Sequence, residues 1–145
     1  MRPTRIRDLI AVAVVIGVAA YLFVWWQYRS LPQVPLTASV SVFLVGLIEL
    51  QTASLTRQRL AGRPGTKPIM PITVARLAAL AKASSVVAAA LLGAWTALLV
   101  YTAPRTDEFG TAGRDALAAG LGLGAAMVLL AGGLLLERVC RVPKK

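Results

Sequence analysis

The chain has 145 residues, 57% of them hydrophobic, with a mean hydropathy of +0.71. A water-soluble core of this size could not bury so much apolar surface, which excludes an ordinary soluble domain. The net charge is +10, from sixteen basic and six acidic side chains. The basic residues cluster between apolar blocks without interleaved aromatics, so the expected partner is a membrane surface and not nucleic acid.

Four apolar blocks, at residues 9–28, 36–55, 74–101 and 116–136, are each long enough to cross a bilayer. They predict an all-α, four-helix membrane bundle of antiparallel hairpins, forming one domain over residues 1–145. The first block follows Arg2, Arg5 and Arg7, as a signal peptide would. It is long, however, and ends in YLFVWWQY without a small-residue cleavage site, so a retained anchor is expected. Trp25, Trp26 and Tyr28 would then mark the far interface. RSLPQVP, with Pro32 and Pro35, makes a tight hairpin into the second block. The next connection carries Arg57, Arg59, Arg63 and Lys67, with Arg76 just inside the third block, and its prolines and glycines forbid a continuous helix. The third connection offsets Arg105 and Arg114 with Asp107, Glu108 and Asp115. The C-terminal tail returns to Arg138, Arg141, Lys144 and Lys145. This asymmetry predicts that both termini and the middle connection face the cytoplasm of a bacterial plasma membrane.

Two charges interrupt the apolar blocks. At ~1.5 Å per residue, Glu49 lies ~9 Å inside the end of the second block, and Lys82 lies ~12 Å inside the start of the third. Small residues share their stripes: Gly46, Thr52 and Ala53 with Glu49, and Ala78, Ser85, Ala89 and Gly93 with Lys82. Small residues let helices approach closely in lipid, and a lone charge there costs at least ~2.5–3.5 kcal/mol. A Glu49–Lys82 ion pair between the second and third spans is therefore expected. The alternatives are a Lys82 that snorkels to the headgroups and a Glu49 that is protonated and passively packed.

GLGLGA, residues 120–125, matches a dinucleotide fingerprint only in spelling, because no strand precedes it. Gly120 and Gly124 instead form a small-residue face for packing within the bundle or between two copies. At the inner end of the fourth span stand Glu137, Cys140 and Arg141. Arg76 is the nearest basic candidate to pair with Glu137. One cysteine and no histidine leave no expected metal site, cofactor or His-based catalysis.

PTRIRDL at the start, RPGTKPIMPITVARLAALAKAS at residues 63–84 and LERVCRVP at residues 136–143 resemble the DUF3180 family. It is a family of small actinobacterial membrane proteins of unknown function. The resemblance spans nearly the whole chain and implies four spans, without implying an activity. The expected function is a non-catalytic accessory or scaffold subunit. Its basic cytoplasmic face would meet anionic lipid headgroups and either a membrane-protein partner or a second copy. The runner-up is a small transporter or proton-coupled module using Glu49 and Lys82 in an oligomer, and an intramembrane enzyme is third.

Overall fold

In the computed structural model the described residues are 4–30, 35–61, 70–105 and 112–140. They form four helices, with no strand among them. Helix α1 spans Ile6–Gln27, α2 Leu36–Leu60, α3 Pro71–Thr102 and α4 Ala112–Cys140. Single 3-10 turns, Tyr28–Ser30 and Ala103–Arg105, finish α1 and α3. All four helices are long and apolar enough to cross a membrane.

The helices outrun the apolar blocks that announce them, because helix propensity does not stop where hydrophobicity does. Helix α2 continues past residue 55 through Arg57 and Arg59, which suit the negative end of its dipole. Helix α3 opens with Pro71 in its first turn, where the missing N–H costs nothing. Its 32 residues make it ~48 Å long, against ~33 Å for the 22 residues of α1. A hydrocarbon core is ~30 Å thick. Helix α1 can just span such a core, and α3 must project beyond it.

The packed pairs are α3 with α4, α2 with α4, and α1 with α3. The helices therefore lie in the order α1–α3–α4–α2. This corrects the expected series of hairpins: among consecutive helices only α3 and α4 pack extensively, while α2 meets α3 locally through Glu49 and Ser84 and around Ala53 and Ala81. Gly46 explains the placement of α2, since a Cβ there would come within 2.8 Å of the Leu129 backbone nitrogen. Its close approach is committed to α4. Gly17 meets Gly93 on one side of α3, while Trp95 covers Gly122 and Ser85 lies under Gly133 on the other. These contacts make α1 parallel to α3, α2 parallel to α4, and α3 antiparallel to α4.

The interior is built from small side chains. Ala81, Ala88, Ala89, Ala118, Ala119 and Ala126 are almost wholly buried, whereas Ile10, Val14, Val18, Val40, Leu44 and Ile48 point outward. In lipid an outward apolar side chain carries no penalty, and close backbone approach supplies the packing. Of each helix's most apolar stretch, 44% is buried in α4 and 11% in α1, as the central and edge positions require.

Candidate functional site

The start of α1 and the end of α4 come together, because the Thr4 N–H donates to Glu137 Oε1 at 2.8 Å. This terminal end gathers most of the residues that stand out in the sequence. Glu49 leaves α2 beside Gly132 of α4, where a Cβ would approach within 3.1 Å of its own Cβ. The absence of a side chain at Gly132 leaves room for the glutamate. Glu49 is only 5% exposed; its Oε1 accepts a hydrogen bond from the Ser84 hydroxyl, and its Oε2 is buried without a hydrogen-bond partner among the described residues.

Lys82 does not complete that arrangement, and the expected Glu49–Lys82 pair does not form. Residues two apart on an α-helix project ~200° apart, so when Ser84 faces Glu49, Lys82 must face away. Lys82 is exposed and lines a groove of about 330 Å³ between α1 and α3, with Thr4, Arg5, Asp8, Leu9, Val12 and Val86. Its level relative to α1 follows from the same groove. Counted from the start of the third apolar block it lies deep, but α3 overshoots α1, and the groove sets Lys82 level with the first turns of α1.

Of the expected basic loop, Arg57, Arg59 and Arg76 are exposed, while Arg63 and Lys67 lie outside the described residues. Arg76 stays on the surface, and Glu137 instead takes the Thr4 N–H. Cys140 is buried against Ala53, Ala81 and Leu136, and Arg141 lies outside the described residues. Gly46 and Gly93 pack closely, as their stripes predict. Gly120 and Gly124 have open space where a Cβ would stand, which corrects their assignment to packing within the bundle. The buried face of α4 runs through Ala118, Gly122, Ala125, Leu129, Gly132, Gly133 and Leu136, on the other side of the helix.

No sequence pattern singles out the opposite end, yet its polar groups join three helices. Tyr28, expected at the lipid interface, turns inward, and its hydroxyl donates to Asp115 Oδ2 at 2.8 Å. The Tyr28 and Tyr101 rings lie 5.1 Å apart, and Tyr21 meets Tyr101 edge-on at 6.2 Å. The Arg105 guanidinium sits 4.3 Å over the Tyr101 ring and donates from Nη1 to the Tyr101 carbonyl at 2.8 Å. Trp25 and Trp26 remain outward, as an aromatic belt requires.

Four helices of this length and apolar character are those of a multi-pass membrane protein. Residues 9–144 match the family described as "Protein of unknown function (DUF3180)", and the chain belongs to that family. Comparison with curated proteins and with solved structures gives no match.

Proposed function

We propose that this chain is a non-catalytic accessory or scaffold subunit of an actinobacterial plasma membrane, with both termini in the cytoplasm. Its basic end would dock an acidic membrane-protein partner or a second copy beside anionic headgroups. One contrast supports this reading above the others. Arg57, Arg59, Arg76 and Arg138 all stand exposed toward the terminal end, whereas at the opposite end Arg105 is folded onto Tyr101 and Arg114 is exposed beside Asp115 in sequence. Exposed like charges next to a membrane are useful for attracting an oppositely charged surface. A mild-detergent pull-down of the full chain with quantitative proteomics tests the reading. A stoichiometric partner should be recovered, and replacing Arg57, Arg59 and Arg76 together by Gln should release it. No stoichiometric partner, together with a monomeric chain, would overturn the proposal.

A proton-coupled module is the second reading, favoured by Glu49 Oε2, buried and without a hydrogen-bond partner among the described residues. Intramembrane ionisable groups often mark proton relays. A hydrophobic carbodiimide should then label the wild-type chain and spare Glu49→Gln; equal labelling of both would remove the basis for it.

A further inference from the structure

We propose that the groove between α1 and α3 seats one anionic phospholipid, its phosphate between Arg5 and Lys82 and its headgroup hydroxyls toward Asp8. The lining changes character along α1: Thr4, Arg5 and Asp8 come first, and Leu9 and Val12 follow one turn deeper, with Lys82 and Val86 repeating the order on α3. A phospholipid makes the same passage from charged headgroup to acyl chain. A free anion would leave the apolar half of the groove unused.

Charge points to the same occupant. Arg5, Asp8 and Lys82 sum to +1, which a monoanionic phosphodiester neutralises. Among the described residues Lys82 forms no ion pair, although Asp8 lines the same groove. A lysine at the lipid boundary gains from an anion that is already there. Asp8 would repel a bare anion, but it can accept hydrogen bonds from a glycerol headgroup. Phosphatidylglycerol is therefore favoured over phosphatidylcholine, whose headgroup carries no net charge and no O–H or N–H donor.

This inference rests on the proposed reading only in taking the terminal end as the headgroup level, and its readout is separate from partner recovery. Native mass spectrometry of the full chain, with phosphatidylglycerol, phosphatidylcholine or inorganic phosphate added in parallel, tests it. One phosphatidylglycerol per chain should be retained about fivefold better than phosphatidylcholine. Lys82→Met and Arg5→Gln should each reduce that retention about fivefold, while Lys82→Arg preserves it and Arg57→Gln on α2 leaves it unchanged. The thermal transition of each variant reports whether it remains folded. Equal retention of the two lipids, displacement by inorganic phosphate, or a loss in Arg57→Gln as large as in Lys82→Met would overturn the proposal.

Discussion

The two ends of the bundle handle charge differently. At the end holding Tyr28 and Asp115, the buried carboxylate receives a phenol, and Arg105 lies across an aromatic ring and bonds a carbonyl. At the end holding Thr4 and Glu137, Glu49 keeps one oxygen without a hydrogen-bond partner among the described residues, and Lys82, Arg57, Arg59 and Arg76 remain exposed. The first arrangement uses polar groups to fasten helices. The second leaves polar capacity unspent, which is what a binding surface needs. The difference follows from what each end can reach. Tyr28, Tyr101 and Asp115 meet where α1, α3 and α4 converge, whereas Glu49 and Lys82 lie on different sides of α3, Glu49 toward Ser84 and Lys82 toward α1.

Both ends depend on the crossing of α1 and α3, so the largest expected effect lies between them. A Cβ at Gly93 would run into the Ala13 carbonyl oxygen and the Gly17 backbone, which cannot rotate aside. Gly93→Val should cost at least ~3 kcal/mol, the upper range for overpacking. It should also lift α1 from α3, loosening the tyrosine cluster and opening the groove together. Thermal unfolding in detergent measures the first effect. Cross-linking between cysteines placed at positions 10 and 86 measures the second. Gly120→Val, facing open space, should change neither by much.

A smaller loss should be confined to one end. Asp115 is 7% exposed and accepts the Tyr28 hydroxyl. Asp115→Ala removes that acceptor and should cost about 1–3 kcal/mol. Lipid retention at the other end should survive. Equal damage at both ends would mean that the ends are not independent.

Below that comes the Ser84–Glu49 hydrogen bond. Ser84→Ala should cost ~1 kcal/mol, because the buried carboxyl loses the one hydrogen-bond partner it has among the described residues. Adding Glu49→Leu should recover part of the loss, since an apolar pair leaves nothing buried and unsatisfied. A double variant less stable than either single one would show that Glu49 has another partner.

Much of this fold is legible in the amino-acid sequence, and what is not has physical causes. Apolar block length locates the four helices because lipid requires each span to satisfy its own backbone. Gly46 and Gly93 are legible as contact points because small residues in a lipid-facing helix have few other uses. Helix order is not legible, since antiparallel hairpins assume that chain neighbours are spatial neighbours. Here Gly46 sends α2 to α4, and the chain between residues 61 and 70 is long enough to permit it. Gly120 and Gly124 share the spelling of a packing motif, but the buried stripe of α4 falls on the other face. The Tyr28–Asp115 bond joins residues 87 apart, a separation no periodicity announces. Ser84 is visible as a polar residue in an apolar run. Its role depends on helical phase, which places it, and not Lys82 two residues earlier, on the face toward Glu49.

The smallest expected effect makes the sharpest test, because it concerns the pair that sequence alone would join. If Glu49 and Lys82 shielded one another, removing Lys82 would strand a buried carboxylate and cost about 3–5 kcal/mol. With Lys82 directed at the groove and Ser84 at Glu49, Lys82→Met should instead be nearly neutral. The coupling in a cycle with Glu49→Gln should stay within ~0.5 kcal/mol, the range for independent sites. The backbone enforces this result: bringing Lys82 onto Glu49 would mean turning α3 by roughly half a revolution. That turn would carry Ser85 from beneath Gly133 and Gly93 from Gly17, undoing the contacts that set the helix order. A coupling above ~1 kcal/mol would therefore refute more than one side-chain direction. It would require a different rotation of α3, and with it a terminal end whose charges are as fully matched as those around Tyr28.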